Sequence, residues 1–277
     1  AGNRMLERLV VYDPRLCSPT VPQDLCQSVN GRRIHRVWRR GKYLVFDLAG
    51  EVHLVMHLRM TGNLFCRQGP DAGRYQAYTR ARMELSGGAS IWFCDPRRFG
   101  TVICVVGKSA LARYFSARLG VEPLGAEFTV ASLANLARAR RQPVKALLLS
   151  QDKIAGIGNI YADEALFRAG IHPNRPAGDL TEAEIERLHP CVVDALWAGI
   201  THKGASIDDF RHTDGTRGSF QDEFLVHRRA GKPCPRCRSV ITKIRCAGRG
   251  TYLCESCQRS SELPPRPQRE RLAQQIG

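Results

Sequence analysis

Along positions 51–60, EVHLVMHLRM, side chains alternate in character: Val52, Leu54, Met56 and Leu58 fall on one face, and His53, Val55, His57 and Arg59 on the other. A period of two with one apolar face predicts a strand buried on one side. The segments RRIHRVWRRGKYLVFDLAG, ARMELSGGASIWFCDP and GTVICVVG show the same alternation between Gly, Pro, Asn and Asp, so the N-terminal third is expected to form an antiparallel β-sandwich. From about position 109 the period lengthens. SALARYFSARLG, TVASLANLARARR, PVKALLLSQ, NIYADEALFRAG and TEAEIERLHPCVVDALWAGITHKG carry helical spacing and good helix formers. Thr181 and Glu184 make a capping-box pair at the start of the last of these. Gly and Pro in GVEPLGAEF, positions 120–128, mark the change of period. The fold class is therefore α+β multidomain: an antiparallel β-sandwich in 1–122, a helical domain in 123–225, a cysteine-bearing hairpin in 226–260, and a linker-like tail in 261–277.

A hydrophobic share of 43% over 277 residues is enough for two ordinary cores. No run approaches the ~18 consecutive apolar residues of a membrane span, and no secretory signal pattern opens the chain. The expectation is a cytoplasmic or nucleoid setting with no membrane partner. Lys and Arg number 42 against 26 Asp and Glu, a formal net charge of +16, which attracts polyanions and makes nucleic acid the leading partner. A charge that serves solubility alone is the alternative.

The 11 cysteines are odd in number, and Cys17, Cys26, Cys66, Cys94, Cys104, Cys191 and Cys246 are scattered singly, which is no disulfide framework. Several, such as Cys94 in SIWFCDP and Cys104 in TVICVVG, lie among apolar residues and read as core. The remaining four form two C-x-x-C pairs, Cys234/Cys237 and Cys254/Cys257. Two such pairs joined by a hairpin converge on a tetrahedral four-sulfur site for one structural zinc ion; a redox pair would not need a second copy at this spacing. SVITKI and GTYLCE supply the strands and CAGRG the turn. A unit this small has no core of its own, so its metal contributes folding energy.

Three further stretches carry candidate chemistry. In QDKIAGIGNIYADEALFRAG, Gly156 and Gly158 permit a tight turn after one helix, Asn159 stands where it can cap the next, and free N–H groups there can hold a phosphate; alone, the same pattern is equally an ordinary turn. CDPRRFG, 94–100, joins a strand end, a Pro turn, two arginines and Phe99. This is a set able to wedge into a disrupted duplex, or else a hairpin corner with Phe99 packed inward. RRGKYL, 39–44, places Lys42 in a basic loop, either merely solvated or poised for phosphate or catalysis.

Together, VYDPRL, RRGKYL, HLRMTG, DPRRFG, GIGNIYADEALF, DGTRGSFQ and the four-cysteine ribbon resemble, in order from about Val10 to Gln258, the formamidopyrimidine-DNA glycosylase family of bacterial base-excision repair. DPRRFG and GIGNIYADEALF look like its oxidised-purine branch. The resemblance implies a monomer with a β-sandwich, a helix–two-turn–helix domain and a zinc hairpin. Double-stranded DNA carrying an oxidised purine or abasic site would lie in the cleft between the domains, with the damaged nucleotide flipped out. It also implies glycosylase and AP-lyase activity with β,δ-elimination. Met60, Arg97 and Phe99 would fill the vacated gap; Lys42, Arg141, Lys145, Asn159 and Arg249 would hold phosphates; and Lys42 and Arg249 carry the residual catalytic claims. Tyr78 stands where the family often has a DNA-contacting His. The loop GASIDDFRHTDGTRGSFQ, 204–221, resembles the segment that closes over the extruded base. One departure is expected to matter: the family's N-terminal PELPEVE-like segment, with its attacking proline amine and neighbouring Glu, has no counterpart in AGNRMLERLVVYDPRL. The chain then reads as an N-terminally truncated enzyme or, alternatively, as a non-catalytic damaged-DNA-binding relative. A zinc-ribbon transcription or RNA-binding protein would leave DPRRFG and GIGNIYADE unexplained.

Overall fold

Each strand of the N-terminal region is as long as its run of alternation, and pairing follows from which face is apolar. The computed structural model describes residues 3–69, 77–206 and 212–260. The tail 261–277 and residues 207–211 of the loop expected to close over a base lie outside the described residues. Strands β1 (Met5–Val11), β2 (Arg32–Arg40), β3 (Tyr43–Leu48), β4 (Val52–His57), β5 (Asn63–Gln68), β6 (Thr79–Leu85), β7 (Ala89–Cys94) and β8 (Thr101–Val106) pair antiparallel in the order β5-β7-β6-β1-β2-β3-β4-β8. The β1–β2 ladder is confined to Met5↔Arg33 and Leu6↔Arg32. At that weak seam the sheet folds into two four-stranded layers, and Phe46, Leu54 and Met56 of one meet Met83, Ile91 and Phe93 of the other in a single core. The sandwich is as expected, but β4 is buried on both faces and not on one, because Val55 lies under a covering helix and His53 is buried as well. Helix α1 (Pro22–Val29), which the alternation does not announce, adds Leu25 and Val29 to that core. Helix α2 (Lys108–Ser116) covers the outer face, packing Leu111 and Phe115 on Val45 and Val55.

Helices α3 (Val130–Ala137), α4 (Val144–Leu149), α5 (Asn159–Ala169) and α6 (Glu182–Thr201) form a second core around Leu133, Leu147, Leu148, Leu166, Leu188 and Val192. The capping box expected at Thr181 and Glu184 is present, with Thr181 Oγ1 accepting from the Glu184 N–H and the Glu184 carboxylate accepting from the Thr181 N–H. The two domains join where the β2–β3 turn docks. Glu122 accepts the Gly41 N–H at 2.5 Å and pairs with Arg40 at 2.8 Å and Arg39 at 3.2 Å, while Arg40 donates to the Gly120 carbonyl at 2.7 Å. Burial alone would raise the Glu122 carboxyl, but the Gly41 N–H and the two arginines outweigh it and hold the group below the ordinary carboxylate range.

The C-terminal hairpin consists of β9 (Thr242–Cys246) and β10 (Arg249–Leu253), in register Arg249↔Cys246. Its turn is tighter than CAGRG suggested, with only Ala247 and Gly248, both at positive φ, between the strands. The hairpin rests on α5, where Phe167 packs with Val226, Cys234, Ile241 and Cys254.

Candidate nucleic-acid cleft and zinc site

At the base of the hairpin the four predicted cysteine ligands converge, their sulfurs all within 4.8 Å of one another. Cys234 and Cys257 are 3.9 Å apart and Cys237 and Cys254 are 3.4 Å apart, close to the ~3.8 Å edge of a tetrahedron with Zn–S bonds of about 2.3 Å. The four thiols are not electrostatically equivalent. Hydrogen bonds from Ser239 bring the Cys237 thiol down to about 6, whereas burial and the neighbouring sulfurs push Cys257 up to about 12 and Cys254 upward too. Four sulfurs converging at this spacing suit one zinc ion, which binds them as thiolates. The site is closed by protein ligands, so zinc here is structural. Arg236, between the first two cysteines, fixes the knuckle to the C-terminal end of α5 by donating to the carbonyls of Phe167 and Arg168, each at 2.9 Å.

Between sandwich and helical domain lies an open cavity of about 590 Å³ lined by Lys42, His57, Arg59, Met60, Phe99, Leu149, Gln151, Asn159 and Arg249. Docking of the β2–β3 turn delivers Lys42, whose ammonium donates to the Ile157 carbonyl at 2.8 Å. Burial, and then the nearby Arg249 guanidinium, lower the Lys42 ammonium to about 8. Gly156 holds a left-handed backbone, φ 91°, in the turn before α5, and Gln151 braces that turn by accepting from the Gly156 N–H and donating to the Ile157 carbonyl. The first N–H groups of α5 have no acceptor within the helix. His57 is lowered to about 4 by burial, then by Arg59 and Lys42, so its ring is neutral at pH 7. Its Nδ1 accepts the Arg59 N–H at 3.0 Å, which leaves the ring proton on Nε2 as a donor. The cavity wall thus combines three cations, a neutral imidazole donor, two amides and a helix start, a set suited to phosphate oxygens.

The same cavity is also lined by Met60, 70% exposed, and Phe99, 49% exposed. Neither is packed inward. Arg97 links them, its guanidinium 3.5 Å from the Met60 sulfur and stacked 4.8 Å over the Phe99 ring. Buried Asp95 locks the two loops together, accepting from the Thr61 hydroxyl and from the Gly100 N–H at 2.7 Å. Gly100 has no room for a side chain, since a Cβ there would lie 2.4 Å from Phe93. Asp13 of VYDPRL ties down Arg98, which has φ 58°, at 3.3 Å.

Residues 1–102 match the formamidopyrimidine-DNA glycosylase N-terminal domain, residues 119–211 the formamidopyrimidine-DNA glycosylase H2TH domain, and residues 231–259 the zinc finger found in FPG and IleRS. The chain belongs to the formamidopyrimidine-DNA glycosylase family. It is 42% identical over 247 residues to the formamidopyrimidine-DNA glycosylase of a Roseiflexus species, covering 88% of each chain. With that of Heliobacterium modesticaldum it shares 42% over 259 residues and 92% of each. Among solved structures it resembles the complex between the Lactococcus lactis enzyme and an abasic site containing DNA, with TM-score 0.85, 31% identity and 93% of each chain covered. The Thermus thermophilus protein gives TM-score 0.81 and 39% identity, covering 93% of this chain and 92% of that one.

The family resemblance had assigned Lys145 a phosphate, and the structure corrects this. The Lys145 side chain is 0% exposed, its ammonium 2.6 Å from Asp163 and 2.6 Å from the Thr251 hydroxyl. Burial lowers its pKa while Asp163 opposes the shift. Asn159 also differs from expectation: Gly158 is the cap residue of α5, and the Asn159 amide instead donates to the Gly250 carbonyl at 2.9 Å. Arg141 and Tyr78 are exposed but do not line the cavity. Formamidopyrimidine-DNA glycosylase motifs had not singled out His57, Arg59 or Gln151 here, although His57 and Arg59 sit on the polar face of the EVHLVMHLRM alternation.

Proposed function

We propose that this protein is a base-excision repair glycosylase and AP lyase acting on oxidised purines in double-stranded DNA, formamidopyrimidine and 8-oxoguanine among them, and that it works as a monomer in the bacterial cytoplasm. The observation that carries the reading is that one cavity combines cations and neutral donors suited to phosphate with two exposed fillers, Met60 and Phe99, which Arg97 joins. Lys42, Asn159, Arg249 and the His57 Nε2–H grip the backbone around the lesion, with Arg141 adding charge outside the cavity. Met60 and Phe99 enter the stack, and Arg97 hydrogen-bonds the base left without a partner, which offsets the few kcal/mol that flipping costs. The fillers are already clustered in the free protein, so little ordering remains for binding. Zinc, when bound, supplies charge that holds the hairpin base rigid. Base loss proceeds through amine attack at C1′ of the sugar, giving an imine; proton loss from C2′ then expels the 3′ phosphate, and a second elimination expels the 5′ phosphate. Lys42, poised at about 8, exists in both protonation states near neutrality and is the cleft group best suited to moving those protons.

The test is affinity for a duplex carrying a tetrahydrofuran abasic analogue against the same undamaged duplex. The three cationic contacts, Lys42, Arg249 and Arg141, give a slope of log affinity on log salt of about −2 to −3 for both. Met60→Ala lowers the preference for the abasic duplex roughly tenfold, as expected for losing about 1.4 kcal/mol of buried thioether, and leaves the undamaged duplex nearly unaffected. An equal loss on both would remove the wedge assignment.

A further inference from the structure

Arg249 opens β10, immediately beyond the two-residue turn, at the end of the hairpin opposite the cysteines. Cys254 lies five residue steps, about 17 Å, further along the chain, so a metal that fixes the base leaves the tip free to rock unless something else holds it. A buried chain of hydrogen bonds does so. The Thr251 hydroxyl donates to the Arg249 carbonyl at 3.1 Å and accepts from the Lys145 ammonium at 2.6 Å. That ammonium reaches Asp163 at 2.6 Å and the Gly250 carbonyl at 3.4 Å, and the Gly250 carbonyl also receives the Asn159 amide. All three ammonium protons are used, the hydroxyl both gives and accepts, and the carbonyls on both sides of the Arg249–Gly250 step are tethered to α4 and α5. Thr251 is 0% exposed and touches no part of the cavity.

We propose that Thr251, held by the Lys145–Asp163 pair, is a positioning residue that aims Arg249 into the cleft, so that the helical domain and not the zinc sets where the hairpin tip grips DNA. This rests on the glycosylase reading of the cleft. The experiment is a double-mutant cycle of Thr251→Val and Arg249→Ala, read as affinity for the tetrahydrofuran duplex at fixed salt, with zinc stoichiometry checked for each protein. Thr251→Val is expected to weaken binding about tenfold when Arg249 is present, the scale of one charge-assisted hydrogen bond, and less than twofold when Arg249 is already alanine. Thr251→Ser, which returns the hydroxyl, recovers the lost affinity. Should valine impair folding, Thr251→Ala leaves room for water beside the ammonium and takes its place in the cycle. An equal loss in both Arg249 backgrounds, or no loss in either, overturns the proposal. Wild-type protein with no preference for the abasic duplex overturns the glycosylase reading instead, whereas a preference that persists undiminished in Arg249→Ala overturns this inference alone.

Discussion

Breaking the Lys145–Asp163 pair from one side puts the packing of the helical domain to a quantitative test. Both side chains are 0% exposed and their nearest atoms are 2.6 Å apart. Asp163→Asn keeps the shape and removes the charge, leaving an ammonium among the Thr251 hydroxyl and the Gly250 carbonyl. Lys145→Met keeps the length and leaves a carboxylate facing His227 at 2.8 Å and the Tyr252 N–H at 3.4 Å. An uncompensated buried charge costs about 3–5 kcal/mol, a third or more of a typical stability of about 5–15 kcal/mol. The double variant buries no charge and is expected to lose no more than the worse single variant, so the two losses are non-additive by at least about 2 kcal/mol. Urea unfolding in excess zinc, followed by tryptophan fluorescence and far-ultraviolet circular dichroism, measures all four corners if the slope on urea is unchanged. A single variant costing under about 1 kcal/mol, or losses that add within about 0.5 kcal/mol, would refute the reasoning.

Cys254→Ser is expected to abolish stoichiometric zinc and to weaken DNA binding before the sandwich unfolds, because the hairpin has no core beyond its contacts with α5; zinc retained in metal analysis would point to another ligand. Lys42 loses its charge as pH rises through about 8, so affinity for the abasic duplex should fall between pH 7 and pH 9.5 in the wild type and stay flatter in Lys42→Ala, with parallel curves contradicting the assignment.

The β-sandwich was legible because one face each of β4 and β7 is uniformly apolar, although their other faces are buried too once the neighbouring elements pack, and the zinc site because four thiols at two C-x-x-C spacings have few other uses. The capping box at Thr181 was likewise local. Lys145 was not legible: its partners Asp163 and Thr251 lie on two other elements, and a lysine next to Val144 in PVKALLL looks the same whether it points to solvent or to a buried carboxylate. Asn159 was misplaced for a related reason, since the Gly250 carbonyl that takes its amide arrives only when the hairpin docks. His57 carried a visible signal, a polar position ending β4, but its neutral state depends on burial beside Lys42 and Arg59. That environment arises from tertiary contact and not from spacing.

The central claim is that this cleft removes an oxidised purine from DNA, and the most direct measurement is base release and strand cleavage by the protein. The substrate is a duplex with one formamidopyrimidine opposite cytosine, with the undamaged duplex as control. The account predicts free formamidopyrimidine together with a one-nucleoside gap bearing phosphates at both ends, and no product from the control. Tight, lesion-selective binding with neither base release nor cleavage would contradict it and make the protein a damage-binding relative of the glycosylases.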